Sequence, residues 1–202
     1  MPRKDHWDAV YTAKTNDEVS WFEIDPTISL DLIQQVSPPP SSVIDVGGGQ
    51  SFLVDRLLDI GIDGVAVLDI SSVALNRSKE RLGEQAASVE WIEADITSIP
   101  DVGRFDLWHD RAVFHFLTEP KDRAAYLELA ANSIPVGGHM IIGTFAIDGP
   151  EKCSGLPVCR YDADSMASTL GGRFSLVHSQ NYLHTTPTGK EQRFFFGVFQ
   201  RV

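Results

Sequence analysis

Three aspartates stand where an apolar run stops. Gly64-Val65-Ala66-Val67-Leu68 ends in Asp69, Val89-Glu90-Trp91-Ile92-Glu93-Ala94 ends in Asp95-Ile96, and Phe105-Asp106-Leu107-Trp108-His109 ends in Asp110. Ahead of them, Val43-Ile44-Asp45-Val46 runs into Gly47-Gly48-Gly49-Gln50-Ser51. A carboxylate accepts hydrogen bonds from paired donors such as neighbouring hydroxyls. Glycines let a ligand lie against bare backbone, and the free N–H groups of a following helix can bond to it. This combination suits a nucleotide-like ligand held at the carboxyl ends of successive strands. A glycine loop alone is also a plain strand–helix turn; the acids at fixed distances beyond it add the weight.

The elements that must carry these residues follow from periodicity. Apolar runs predict strands at 43–46, 64–69, 89–96, 105–110 and 139–145, with helices at about 52–59, 72–82 and 121–133 between them. Such alternation implies right-handed crossovers and a mostly parallel sheet. Before it, Ile28, Leu30, Leu32, Ile33 and Val36 have helical spacing, Pro26 suits a helix start, and Pro38-Pro39-Pro40 ends that helix. Beyond Phe145, residues 148–160 read as a loop. Asp162 caps a short helix to Leu170, and 174–184 and 193–202 form an antiparallel hairpin around Thr186-Pro187-Thr188-Gly189. The expected fold class is α/β: a single-domain, doubly wound, seven-stranded, mostly parallel sheet with a C-terminal antiparallel hairpin. Within 1–202, residues 1–36 form an N-terminal cap segment and helix, 40–145 the ligand-binding core, and 146–202 a loop and hairpin on the side from which a second reactant would enter.

The chain has 202 residues, a size suited to one domain, and a net charge of −11. A nucleic-acid partner calls for a basic face, and the basic residues here are scattered, so no nucleic acid is expected. The start, Met1-Pro2-Arg3-Lys4-Asp5-His6, has no apolar core, and no run approaches the ~18–20 residues that cross a bilayer. The expectation is a cytoplasmic protein with no membrane partner. Cys153 and Cys159 match no zinc spacing and are expected as reduced thiols, with a place beside the site as an option. No metal site is expected.

Asp45-Val46-Gly47-Gly48-Gly49, Asp69, Ala94-Asp95-Ile96, Asp106-Leu107-Trp108 and Ile134-Pro135-Val136-Gly137-Gly138 together resemble the class I, Rossmann-like, S-adenosylmethionine-dependent methyltransferases. The resemblance is strong over residues 40 to 145. A dehydrogenase reading would also use an acid near Asp69, but leaves Asp95 and the Pro135–Gly138 turn unexplained.

The resemblance implies S-adenosylmethionine as cofactor and assigns roles. Asp69 takes both ribose hydroxyls, Ile70 covers an adenine face, Asp95 accepts from the adenine amino group, and the Ile96 N–H donates to a ring nitrogen. Asp45, Gly47 and Gly49 shape the loop that admits the methionine part, and Asp110 lies beside its amino group and sulfonium. The aromatic N-terminal segment, with Trp7, Tyr11, Trp21 and Phe22, resembles the cap of small-molecule methyltransferases and of some protein-lysine methyltransferases. Trp21 is the one expected in the pocket, while Trp7 and Tyr11 either join the lid or pack on the sheet.

His115, just past the fourth strand, is a candidate general base, with Asp110 as a second candidate catalytic group. Its alternative is a hydrogen-bonded histidine at a helix start. Arg111, Arg160 and His184 are candidate acceptor-binding residues, with Tyr161 and Arg193 nearby. The expected reaction is in-line methyl transfer to a small-molecule N, O or S nucleophile, in which the protein aligns the groups and excludes water. A protein-lysine methyltransferase and a cofactor-binding protein without catalysis are the alternatives. Methylation of arsenite, using cysteine thiolates as ligands, is a further option.

Overall fold

The computed structural model describes residues 3–36 and 39–202. The expectations that rest on Met1-Pro2 and on Pro38 lie outside the described residues. In chain order the main elements are α1 (Arg3–Ala13), α2 (Thr27–Gln35), β1 (Ser42–Val46), α3 (Leu53–Asp59), β2 (Gly64–Asp69), α4 (Ser72–Leu82), β3 (Val89–Glu93), β4 (Leu107–Arg111), α5 (Pro120–Ser133) and β5 (His139–Phe145). There follow β6 (Lys152–Cys153), β7 (Leu156–Pro157), α6 (Ala163–Leu170), β8 (Phe174–Thr185) and β9 (Glu191–Arg201).

Seven strands form one sheet in the order β3-β2-β1-β4-β5-β9-β8. The first five are parallel; β9 runs antiparallel to β5 and pairs with β8 as a hairpin. Alternate residues point to opposite faces, so Val43, Val65, Leu107 and Ile141 pack against α2, α3 and α4. Ile44, Ala66, Trp108 and Met140 pack against α5 and α6. Both faces are covered, which is why the central strands read as continuous apolar runs rather than alternating ones. Strand order reverses between β1 and β4, and the crevice beyond their carboxyl ends is where such sheets take a ligand.

Several boundaries differ from the sequence expectation. The third strand stops at Glu93, so Asp95 lies in the following turn, where its Oδ1 accepts from the Thr97 N–H and hydroxyl at 2.9 and 2.7 Å. The fourth starts at Leu107, because Asp106 is spent joining strand starts: its Oδ2 accepts from Ser41 and Ser42 of the chain entering β1. The expected loop 148–160 contains the two-residue strands β6 and β7. Their turn uses left-handed backbone at Ser154 (φ 48°) and Gly155 (φ 79°), the pairing of a tight hairpin. The aromatic N-terminus forms a full helix, α1, that packs on α4. Asp8 of α1 accepts from the Ser71 hydroxyl at 2.6 Å and pairs with Lys4 at 3.1 Å.

Candidate active site

The crevice beyond β1, β2 and β4 is a cleft of about 760 Å³, part of it open to solvent. Its floor is the end of β2, with Asp69 and Ile70, and the turn carrying Asp95 and Ile96. One wall is Gly47 and Val113, and its roof is Arg3, Trp7 and Tyr11 of α1 with Trp21. A second lobe on the far side of Gly47 is lined by Asp45, Gly48, Gln50 and Ser51 of the glycine loop. Glu23 and His109 line it too, and Tyr11, Trp21 and Arg111 are shared between the lobes.

The glycine loop follows from close approach. Gly47 has φ +71°, and a Cβ there would fall 2.0 Å from Val113 Cγ2. At Gly49 a Cβ would fall 2.6 Å from Asp69 Oδ2 and 3.1 Å from the Tyr11 hydroxyl. Any side chain would push the loop off Asp69. The Ser51 hydroxyl accepts from the Leu53 N–H at 3.1 Å at the start of α3.

Asp69 is buried, and burial pushes its carboxyl up to about 7 against the pull of the Ser71 N–H, with Asp45 adding to the rise. Its Oδ1 accepts from that N–H at 2.8 Å. Among the described residues no protein donor meets Oδ2, which is left for a ligand hydroxyl. The helix cap after β2 is therefore Ser71, whose hydroxyl accepts from the Ala74 N–H. In the second lobe Gln50 Nε2 and Glu23 Oε2 are buried without partners. An orphan donor and an orphan acceptor in one lobe suit a zwitterion. Asp45 is buried, with His109 Nδ1 at 2.7 Å from its Oδ1, while the other ring nitrogen meets the Ser29 hydroxyl at 2.9 Å.

Of the residues singled out in the sequence, Trp21, Gly47, Asp69, Ile70, Asp95 and Ile96 meet around the first lobe, and Asp45 joins the second. Trp7 and Tyr11 are in the roof, each edge-on to Trp21 at 5.9 and 6.3 Å between ring centres and tilted against one another at 6.3 Å.

Four candidates lie elsewhere. Asp110 is fully buried beneath the wall. It accepts from the Tyr126 hydroxyl at 2.7 Å and from the Val113 and Phe114 N–H groups, which closes the turn that throws Ala112 into left-handed backbone at φ 71°. Burial raises its carboxyl to about 6. His115 is also sealed off: its ring packs on Phe116 and Phe145, Nδ1 faces the Phe145 N–H at 3.4 Å, and burial holds it neutral with a pKa of about 3. An imidazole without a path to the cleft cannot take a proton there. Arg160 bonds to the Gly149 carbonyl and pairs with Glu151 outside the cleft. His184 is buried behind Glu23, with its Nδ1 3.0 Å from Glu23 Oε1, and lines neither lobe.

Tyr161 packs in the core, and Arg193 pairs with Asp148 at the surface. Cys153 lines the cleft while Cys159 packs in the core on the other face of the sheet, so no two-thiolate site is assembled. Among the described residues no three side chains of metal-ligand type come together, and no helix is long and apolar enough to cross a membrane.

The sequence reading missed Glu23, Gln50, His109, Phe116 and Arg3 as parts of the site. A histidine inside an apolar strand run, as at His109, was a usable signal; the others carried none.

Comparison with known proteins bears on the class. Residues 43–138 match the family model described as a methyltransferase domain. The chain is 29% identical over 115 residues to the malonyl-[acyl-carrier protein] O-methyltransferase of Anoxybacillus flavithermus, which covers 56% of this chain and 42% of that protein. It is 26% identical over 133 residues to the tRNA U34 carboxymethyltransferase of Shewanella halifaxensis, covering 64% and 39%. It thus spans about two fifths of the length of these curated relatives. Its fold superposes on the N-methyltransferase NodS of Bradyrhizobium japonicum, a structure in complex with S-adenosyl-L-homocysteine. The TM-score is 0.71 at 15% identity, with 98% of this chain and 99% of that chain covered. Residues 43–138 thus carry the match to a methyltransferase domain, and the fold is that of a solved methyltransferase, in agreement with the class I, Rossmann-like family that the sequence resembles, whose cofactor is S-adenosylmethionine.

The residues present fit that cofactor. Asp69 would hold the ribose, Ile70, Ile96 and Asp95 the adenine, and Asp45, Gln50 and the glycine loop the amino-acid end. The bound cofactor supplies an electrophilic methyl group on a sulfonium.

Proposed function

We propose that the protein transfers a methyl group from S-adenosylmethionine to a small-molecule acceptor by alignment and water exclusion, without a side-chain general base. The roofed cleft carries this reading. Trp7, Tyr11, Trp21 and Phe116 enclose the space beyond Asp69, and a small acceptor fits where a protein segment or a nucleic acid strand would not. The net charge of −11 also disfavours a tRNA acceptor such as the relative's name indicates for that protein.

The chain's residues act by position. Aromatic rings exclude water, and Ala112 and Val113 fix the wall against which the acceptor lies. Of the titratable side chains that line the first lobe, Asp95 is assigned to the adenine, and Tyr11 and Cys153 are poor bases. Burial raises Cys153 to about 11 and Tyr11 well above its usual value, so both stay protonated. Asp69 is reserved for the ribose. The acceptor therefore arrives already nucleophilic.

The test is incubation of the protein with methyl-labelled cofactor and either a metabolite extract, purified tRNA or a protein lysate. Label in the metabolite fraction is expected. Label in tRNA or a protein band instead would overturn the proposal, as would no label anywhere despite tight binding of S-adenosylhomocysteine.

A further inference from the structure

Arg111 lies where the two lobes meet, and half of its guanidinium makes no hydrogen bond. Nη1 donates to the Trp21 carbonyl at 2.7 Å. Nε and Nη2 are buried and make no hydrogen bond. Glu23 Oε1 lies 3.0 Å from Nη2, but off the N–H direction, so the pair attracts without bonding. Nε and Nη2 share one edge of the planar fork, the edge that takes a carboxylate through two parallel bonds. The Phe194 ring sits 5.1 Å from the guanidinium carbon and holds the plane in place.

Glu23, beside this edge, is held from its other side: its Oε1 lies 3.0 Å from His184 Nδ1, and His184 Nε2 lies 2.7 Å from the Ser20 carbonyl oxygen. Burial works against ionised Glu23, but His184 and Arg111 outweigh it and hold its carboxyl below the usual range. The Cys153 thiol, raised to about 11 by burial, stays protonated and offers no anion to the edge. A buried guanidinium edge whose N–H groups make no hydrogen bond calls for an acceptor, and an anionic one suits its charge.

We propose that the acceptor is a small organic acid whose carboxylate docks on the free Nε–Nη2 edge of Arg111. This rests on the methyltransferase reading above and names its substrate class. It agrees with a cleft that lacks a base, since an acid is ionised before it binds. One oxygen of that carboxylate then forms the bond to the methyl carbon while the methyl–sulfur pair stays on sulfur, giving a methyl ester and S-adenosylhomocysteine, and no proton has to move. A lysine side chain would meet like charge at the same edge.

The test uses the full chain loaded with S-adenosylhomocysteine, titrated with benzoate, succinate and an aliphatic monocarboxylate, and in parallel with the matching amides and amines. Binding of at least one acid without its amide is expected. Arg111→Met should weaken that acid tenfold or more while the affinity for S-adenosylhomocysteine stays within twofold. Arg111→Lys, which keeps the charge and loses the fork, should fall between. Acids and amides binding alike, amines preferred, or acid binding that survives Arg111→Met would overturn it. An equal loss of S-adenosylhomocysteine would also overturn it, since the edge would then serve the cofactor's own carboxylate. Failure of the wild type to bind S-adenosylhomocysteine would instead strike the underlying methyltransferase reading.

Discussion

Replacing Asp69 by asparagine separates charge from shape at the centre of the cleft. The variant keeps the size of the side chain and an oxygen for the Ser71 N–H, but loses the ionised acceptor offered to the ligand. A hydrogen bond to a charged group contributes roughly 1.5–3 kcal/mol. At about 1.4 kcal/mol per factor of ten, S-adenosylhomocysteine should bind roughly 10- to 150-fold more weakly at pH 8. The wild type carries a further signature. Its carboxyl is pushed up to about 7, chiefly by burial. The ionised form is the one that accepts both hydroxyls, so affinity grows as pH rises through that value. At pH 6, one unit below, about one site in eleven is ionised, and wild-type affinity should fall about tenfold from its pH 8 level. The asparagine variant has nothing to titrate at this position, so its affinity should stay flat over the same interval. Isothermal calorimetry with S-adenosylhomocysteine at both pH values measures all four affinities. Equal binding by wild type and variant at pH 8, or the same pH slope in both, would refute the role given to Asp69.

Gly47→Ala adds a Cβ 2.0 Å from Val113 Cγ2 at a left-handed position. It should cost roughly 2–5 kcal/mol from overpacking and backbone strain, read by urea unfolding; wild-type stability would contradict the geometry. His115→Leu should leave the methylation rate and its pH profile near wild type. The buried ring holds a pKa of about 3, against 6.5 for a solvated histidine, so the native state binds fewer protons than the unfolded one between these values. Wild-type stability should then fall by roughly 1.4 kcal/mol per pH unit as pH drops below 6.5, and the leucine variant should lack this component. A variant with normal cofactor affinity and no turnover would restore His115 as the base. Asp8→Ala removes the partner of Ser71 and Lys4 that ties α1 down. Protease should cut α1 faster in the variant, and in the wild type S-adenosylhomocysteine should slow the cut; equal rates in all three samples would make α1 a static packing element.

The sequence made the floor of the cleft legible because each of its residues follows an element with a strong period. Asp69 stands at the end of a buried run and Gly47 at the end of another, so spacing located them, while Ile70 came from the family resemblance. The wall was harder. Asp110 near the end of β4 and His115 just beyond it stand as expected along the chain, but their direction depends on the left-handed turn at Ala112 and on Tyr126 of α5, which draws the carboxylate inward from 16 positions along the chain. Neither is visible in a periodicity. The roof was half legible. An aromatic cluster marked 7–22 as a lid, yet the polar faces of α1 weakened its helical pattern, and only Asp8, Lys4 and Arg3 bonding to β2, β3 and their loops show how it is held. Glu23 escaped notice because a single acid in a polar stretch has no signature until Arg111 and His184 are brought beside it.

That junction spans nearly the whole chain. Glu23 and Ser20 are joined to His184 across 161 and 164 positions of sequence. During synthesis at roughly 5–20 residues per second, the segment carrying Glu23 leaves the ribosome roughly 8–30 s before the strand that anchors it. The cofactor floor, built from residues 43 to 96, can assemble in that interval; the acceptor wall cannot. A nascent chain stopped after β5 is therefore expected to show protease-resistant β1–β5 with an open, cleavable N-terminal segment. Only emergence of β8 and β9 would complete the site, so competence for turnover arrives last, with the final hairpin.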